Sequence, residues 1–312
     1  MNLKDYKIIF MGTPDFGAPV FLALIDKFNI VAAVTQPDKK VGRKQEITQS
    51  PIKKIALKNK IEVLQPEKVR DNAEFIQRVK SLQPDLIIVV AYGFILPKEI
   101  LEIPKFGAIN IHASLLPKYR GASPIQTAIL NGDKETGISI ILIDDKMDHG
   151  PLLEQRTITI NDNDNFESLH DKLAQLGADL LLDTLPKYIS GEIKPVSQKE
   201  SQATYCQLIK KEDGKIDWSK PAEEIERQIK SYTPWPGAFT FWEGKQLKFI
   251  KALVIKAQNQ NIGEVFKINE GIGVKCGKDA LEVLELQLES KKPMNVKEFL
   301  NGYPEIIGFR LS

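Results

Sequence analysis

The stretch Leu86-Ile-Ile-Val-Val-Ala91 is apolar at every position. A strand with one wet face alternates apolar and polar residues. An unbroken run therefore predicts a central strand covered on both faces, as in parallel sheets with helices on either side. Working outward, further candidate strands lie at Lys7–Gly12, Asn29–Thr35, Ile61–Leu64, Ala108–His112 and Gly137–Ile143. Helical patterns separate them near Phe16–Lys27, Pro51–Lys60, Asn72–Gln83 and Ser123–Leu130. A longer helix is expected over Asn165–Ser190, where Leu169, Leu173, Leu176 and Leu180 recur at helical spacing. Alternation of this kind over residues 1–190 predicts an α/β domain built on a mostly parallel sheet.

The pattern changes at residues 191–204. This polar stretch contains Pro195, Ser197, Gln198, Lys199, Glu200, Ser201 and Gln202 and reads as a linker. Residues 205–312 then hold a short helix (Pro221–Lys230) and strands at Ala238–Trp242, Leu247–Ile255, Gly263–Ile268, Gly273–Cys276 and Leu281–Leu288. Several short strands in so small a segment predict a second domain, a small OB-like β-barrel. The length of 312 residues suits two domains.

Composition excludes several classes. With 42% hydrophobic and 27% charged residues the chain is an ordinary globular one, and it has no apolar run of the roughly 18 residues a membrane helix needs. The N-terminus runs directly into an apolar strand without a targeting pattern, so a cytoplasmic location is expected. Cys206 and Cys276 offer neither a disulfide framework nor metal-ligand spacing and read as small buried residues. The net charge of +2 argues against a uniformly basic nucleic-acid binder. Resolved locally, however, residues 245–278 contain seven lysines (245, 248, 251, 256, 267, 275 and 278) against Glu264 and Glu270. Strand alternation would bring some of them to one face, as phosphate contacts require; an ordinary solvated surface is the competing reading.

Three segments bear on chemistry. The turn Phe10-Met-Gly-Thr-Pro-Asp-Phe-Gly17 is not G-x-G-x-x-G, and Ala18-Pro19 stand where a P-loop needs Lys-Ser/Thr. This disfavours a nucleoside-triphosphate site and a Rossmann dehydrogenase, and leaves a tight turn whose amides can face a ligand. In Asn110-Ile-His112 the two polar side chains share one face of a strand, at the carboxyl end where open α/β sheets bind ligands. The chain has only three histidines, His112, His149 and His170, and the last sits in a leucine-rich helix as a structural residue. The acidic loop Ile143-Asp-Asp-Lys-Met-Asp148-His-Gly-Pro151 can bring a carboxylate to His112. An amide to polarise an acyl oxygen and a His/Asp pair to move protons would suit acyl transfer to an amine. No Ser or Cys stands in a nucleophile elbow, so no covalent acyl-enzyme is expected. A structural histidine beside a capping Asn is the competing reading, and a metal site from His112, His149 and Asp148 lacks a recognised spacing.

Asn110-Ile-His112, Ser114-Leu-Leu-Pro117-Lys-Tyr-Arg-Gly121-Ala and Asp148 resemble the signature of the folate-dependent formyltransferases. The resemblance is to the branch that formylates methionyl-tRNA. It extends through Gly12-Thr-Pro-Asp-Phe16, Thr35-Gln-Pro-Asp38, Gly42-Arg43, Ser50-Pro51, Ala91-Tyr-Gly-Phe-Ile-Leu-Pro97, Pro124-Ile-Gln126, Thr136-Gly137, Ile216-Asp-Trp218 and Pro234-Trp-Pro-Gly-Ala238. It thus spans nearly the whole chain in order.

The resemblance implies a Rossmann-like catalytic domain and a C-terminal tRNA-binding barrel. The reaction it implies is formyl transfer from 10-formyl-tetrahydrofolate to the amino group of methionyl initiator tRNA, with no metal. Asn110 would stabilise the oxyanion, His112 would support that charge and shuttle a proton, and Asp148 would orient His112 and deprotonate the amine through water. Ser114, Leu115, Leu116 and Pro117 match the folate-binding segment, and Tyr92, Gly93, Phe94 and Ile95 would line the pterin pocket by backbone contacts. Loop 37–50 matches an insertion that reaches the tRNA acceptor end, with Arg43 its principal basic residue beside Lys39, Lys40 and Lys44. Lys245 and Lys248 are the expected tRNA contacts of the barrel.

Two departures stand out. The insertion is less basic than the family's usual lysine-rich stretch, and His149 replaces a common Thr, where it is expected to fill the turn without a catalytic role. A monomer is expected. The alternatives are a formyltransferase acting on an amino-sugar nucleotide, which would need no such insertion, and a non-enzymatic RNA-binding protein, which would leave Asn110, His112 and Asp148 unexplained.

Overall fold

Seven strands form the first sheet: β1 (Lys7–Gly12), β2 (Asn29–Val34), β3 (Val63–Leu64), β4 (Leu86–Val90), β5 (Ala108–His112), β6 (Glu135–Leu142) and β7 (Leu152–Thr159). The computed structural model describes residues 2–41 and 46–312. The sheet order is β7-β6-β5-β4-β1-β2-β3. β4 lies near its middle with all five residues buried, and Ile8 to Met11 of the neighbouring β1 have no exposed surface. Leu86–Val90 of the apolar run thus occupies the central position its composition requires, while Ala91 lies just beyond the strand and is exposed.

The strands from β3 to β5 pair in parallel, and helices Ala18–Lys27, Pro51–Lys58 and Ala73–Leu82 lie in the connections. Local chemistry sets the helix ends. The Ser50 side chain caps the second helix by accepting from the Lys53 amide at 3.1 Å, with Pro51 at its first turn. Asn72 caps the third in the same way, and Gln83 closes it with a left-handed φ of +50° just before Pro84. The order reverses between β1 and β4, so the carboxyl ends of these strands open a crevice at the switch point. Gly12 ends β1 where a Cβ would lie 2.9 Å from the Val90 carbonyl oxygen and 2.8 Å from the Phe10 ring.

Two features differ from expectation. β6 runs antiparallel to β5, and β7, which the sequence pattern did not reveal, pairs antiparallel with β6. β7 is an edge strand whose residues are mostly partly or wholly exposed, so it carries no strong hydrophobic signal. Residues 191–204, expected to be a linker, are bonded along the first unit. Leu152 and Val196 exchange two backbone hydrogen bonds of 2.8 Å, and the Thr204 carbonyl accepts from the Arg120 amide at 2.9 Å.

The chain divides into two units: Met1–Pro124, Glu135–Thr159 and His170–Cys206 form one, and Ile125–Lys134, Ile160–Leu169 and Gln207–Ser312 the other. The second unit is therefore not confined to the C-terminal third. Its sheet is antiparallel, made of β8 (Ala238–Trp242), β9 (Lys245–Ile255), β10 (Val265–Ile268), β11 (Gly271–Lys275) and β12 (Ala280–Leu288) in the order β8-β9-β12-β11-β10, with the short strand Met294–Asn295 also paired to β12. Trp218, Trp242, Phe249 and Phe299 fill its core together with Ile225 and Ile229 of helix Ala222–Tyr232. Within this unit Arg227 Nε donates to the Leu130 carbonyl at 2.9 Å, and Ser231 to Gln126 at 3.0 Å. These bonds tie Gln126 and Leu130 of the helix Pro124–Asn131 to helix Ala222–Tyr232.

Ile88 is fully buried at the middle of β4. Ile88→Ala should cost about 2–5 kcal/mol of stability, the range for an aliphatic side chain cut back in a packed core. Urea unfolding checks this, and an unchanged midpoint would show that the site is not packed as described.

Candidate active site

Asp148 is the residue on which the candidate site converges. It lies in the loop between β6 and β7 with a φ of +50°, a left-handed conformation that Asp tolerates better than most side chains. One carboxylate oxygen, Oδ2, accepts from the Gly121 amide at 2.8 Å. The other, Oδ1, accepts from Asn110 Nδ2 at 3.3 Å and lies 3.5 Å from His112 Nδ1. The structure thus brings together Asn110 and His112 of β5 with Asp148, as strand alternation and loop placement anticipate.

The imidazole is held differently from expectation. His112 Nε2 lies 2.9 Å from the Tyr119 carbonyl oxygen, which only accepts, so Nε2 carries a proton. It is this carbonyl that orients the ring, while Asp148 stands at ion-pair distance from Nδ1. In the neutral ring Nδ1 is then the free base, and its protonated form faces a carboxylate. His112 is 5% exposed, so both nitrogens act in a largely enclosed setting.

Two glycines permit the geometry. At Gly121 (φ +121°) a Cβ would lie 2.2 Å from the Cys206 carbonyl oxygen, and at Gly150 one would lie 1.8 Å from that of Leu142. Neither backbone position has room for a side chain.

The loop 114–117 is pinned from below by Ser139, fully buried in β6. Its hydroxyl donates to the Ser114 carbonyl at 2.6 Å and accepts from the Leu116 amide at 2.9 Å and from Gln155 Nε2 at 2.7 Å. Ser114 and Leu116 are buried, and Leu115 and Pro117 partly so. On the other side, at the end of β4, the Tyr92 carbonyl accepts from Thr13 at 3.3 Å and from Gln36 Nε2 at 3.1 Å. Tyr92 itself is buried, and desolvation pushes its hydroxyl pKa well above the ordinary value. Gly93 and Ile95 are exposed and Phe94 partly so.

Sequence reasoning missed the supports: Tyr119, Gly121 and Ser139, with Gln155 and Gln198. Ser139 had a signal, a lone hydroxyl inside the apolar run Gly137–Ile143. Gln198 had none, because it lies in a polar segment without periodicity.

The remaining candidates divide. His149 is turned away from the triad, its Nδ1 bonded to Asp144 at 2.6 Å and its Nε2 3.7 Å from Glu200. Among the described residues no group of three or more His, Cys, Asp or Glu side chains is placed to hold a metal ion. Cys206 is buried, and desolvation raises its thiol pKa, with the nearby Asp148 carboxylate adding to the rise. It is no poised thiolate. Lys39 and Lys40 are exposed on a short strand paired with Glu46–Thr48, and Lys39 Nζ bonds Gln36 at 2.6 Å. Arg43 and Lys44 lie outside the described residues. Of the lysine-rich run, Lys245 is exposed but Lys248 donates to the Pro236 carbonyl at 3.0 Å. Lys256 pairs with Asp279, and the buried Lys275 bonds two backbone carbonyls. The local surplus is thus partly consumed inside the fold.

Asn, His and Asp converge at a strand's carboxyl end in a mostly parallel sheet, an arrangement suited to acyl-group transfer, and the sequence matches place the chain among the formyl transferases. The family profile for formyl transferases matches residues 6–185, and that for their C-terminal domain matches residues 208–304. The chain belongs to the methionyl-tRNA formyltransferase family. It is 48% identical to the methionyl-tRNA formyltransferase of Caldanaerobacter subterraneus subsp. tengcongensis, over 95% of this chain and 97% of that one. Among solved structures it resembles the methionyl-tRNA formyltransferase from Clostridium thermocellum (TM-score 0.56, 21% identity, 80% of this chain and 94% of that one). It also resembles an N-formyltransferase from Helicobacter canadensis in complex with folinic acid and dTDP-3-aminofucose (TM-score 0.61, 21% identity, 89% and 98%). At such identity these two structures establish the shared fold alone.

Ser139→Ala removes one buried hydroxyl from three partners and should cost about 1–3 kcal/mol. Amide hydrogen exchange checks the location of the damage: Leu116 should exchange faster while β1 and β4 stay protected. Unaltered exchange at Leu116 would contradict the pinning role.

Proposed function

We propose that the chain transfers the formyl group of 10-formyl-tetrahydrofolate to the α-amino group of methionyl initiator tRNA by direct amine attack. The observation that carries the reading is the Asp148 carboxylate shared by the Gly121 amide, Asn110 Nδ2 and the neighbourhood of His112 Nδ1. Membership of the family, at 48% identity to a methionyl-tRNA formyltransferase, supplies the substrates.

The crevice suits a folate. At the carboxyl end of β4, Ala91 and Gly93 are exposed with φ of +47° and +85°, leaving backbone groups open to a flat heterocycle. When bound, 10-formyl-tetrahydrofolate supplies an activated formyl group on nitrogen. Ser114 to Pro117 on one side and Tyr92 to Ile95 on the other would hold it. Asn110, with one N–H engaged by Asp148, offers its other to the formyl oxygen as negative charge develops there. Asp148 receives the amine proton through water and balances the charge on His112. His112 uses Nδ1 to carry the proton towards the departing nitrogen, while Tyr119 fixes its ring. No protein nucleophile is needed, in keeping with the raised thiol pKa of Cys206.

Lys39, Lys40, Arg43 and Lys44 of the insertion and Lys245 of the second unit are the proposed tRNA contacts. Lys248, tied to the Pro236 carbonyl, would need to exchange partners to join them. No helix among the described residues is long and apolar enough to cross a membrane. We infer a monomer acting in the cytoplasm, where charged tRNA and reduced folate meet.

The test is an assay of the purified chain with 10-formyl-tetrahydrofolate and, separately, methionyl initiator tRNA or a dTDP-amino-sugar. Formylation of the tRNA that persists with a chelator present is expected. Formylation of the sugar nucleotide alone would overturn the reading. Asn110→Ala should lower kcat by about 10²–10³-fold, the usual loss of an oxyanion donor, with little change in tRNA affinity by filter binding.

A further inference from the structure

Gln198 lies in the polar segment 191–204, yet its side chain joins two parts of the active-site wall. Its Nε2 donates to the backbone carbonyls of Asp148 and of Gly150, both at 2.8 Å. Its Oε1 accepts from Arg120, at 3.2 Å from Nε and 2.9 Å from Nη2. A guanidinium only donates, so the paired bond fixes which way the amide faces and leaves both amide hydrogens for the Asp148 turn. Arg120 is itself 1% exposed and held, its Nη1 3.1 Å from Glu200 Oε1 and 2.9 Å from Oε2 and 3.3 Å from the Tyr205 hydroxyl.

The arrangement bears on geometry at the carboxylate. Asp148 has a left-handed φ, which for a non-glycine residue persists only when its surroundings hold it. Gly121 and Asn110 hold the side-chain end. Gln198 holds the main-chain end, and Arg120, adjacent to Gly121 in sequence, ties the two together. Rotation of this turn would move the carboxylate away from Asn110 and His112 while leaving the folate and tRNA surfaces in place.

We infer that Gln198, oriented by the buried Arg120, is a positioning residue that sets the catalytic geometry of Asp148. The inference rests on the proposed role of Asp148 and adds a residue from outside the signature motifs. Gln198→Glu keeps an oxygen facing Arg120 but replaces both donors to the carbonyls by an acceptor. Gln198→Met removes them without adding charge, and serves where the first variant folds poorly.

With both substrates, kcat should fall on the order of 10²-fold, the scale of an ångström-sized misplacement. KM for tRNA and for 10-formyl-tetrahydrofolate should stay within about twofold, which separates loss of transition-state geometry from loss of binding. In an Asp148→Asn background the same substitution should cost less than about twofold more, because residues acting through one group are not additive. Full additivity, an unchanged kcat, or a raised KM at constant kcat would overturn the inference.

A second readout needs no reaction. The ring nitrogen resonances of His112 should move in Gln198→Glu and Gln198→Met in the sense seen in Asp148→Asn; unmoved resonances would overturn the inference. An unsubstituted chain that fails to formylate methionyl-tRNA would instead refute the proposed function, and the resonances would still decide the role of Gln198.

Discussion

The hydrogen bond from the Gly121 amide to the Asp148 carboxylate, 2.8 Å long, is the constraint on which the site depends. It joins the segment after β5, where Arg120–Gly121 pairs in parallel with Tyr205–Cys206, to the loop after β6. A backbone amide cannot change rotamer, so its donor direction is set by the chain path alone. That path is possible only because residue 121 is glycine, with the Cys206 carbonyl where a Cβ would otherwise be. Asn110 and His112 then meet a carboxylate that is already placed. Preorganised polar groups of this kind stabilise developing charge without reorganising during the reaction.

The rest of the first unit can be understood as support for that contact. The buried strands β1 and β4 give a rigid floor, and the strand order opens its crevice at their carboxyl ends. Polar groups secure the walls: the buried Ser139 under residues 114–116, the Tyr119 carbonyl on His112, and the half-buried Gln198 behind Asp148. Fully satisfied networks of buried polar groups specify one geometry, because any alternative leaves a donor or acceptor unpaired.

What was legible in the sequence follows from where the signal comes. Leu86–Ala91 announced the central strand because burial on both faces leaves a contiguous mark, and Asn110-Ile-His112 announced a shared face because strand period is fixed at two. β7 was illegible because an edge strand can be polar at most positions. The clamp at Gln198 was illegible because it joins residues 50 apart through side-chain bonds to backbone, which impose no periodicity. The lysine run misled in part for a related reason: a count along the chain does not distinguish Lys245, exposed on β9, from Lys275, buried against carbonyls. The unit boundary was likewise blurred, since helix Pro124–Asn131 is held by Arg227 and Ser231 from the far end of the chain.

The most direct measurement is the single-turnover rate of formyl transfer by Asp148→Asn, with 10-formyl-tetrahydrofolate and methionyl-tRNA both saturating. Asn keeps the size of the side chain, its tolerance of left-handed φ and an acceptor for the Gly121 amide, and removes only the charge and the base. The rate should fall by about 10²–10⁴-fold, the range for losing a positioned acid–base group, with the thermal midpoint and tRNA affinity little changed. A rate within about twofold of the unsubstituted chain would contradict a catalytic role for the Asp148 carboxylate.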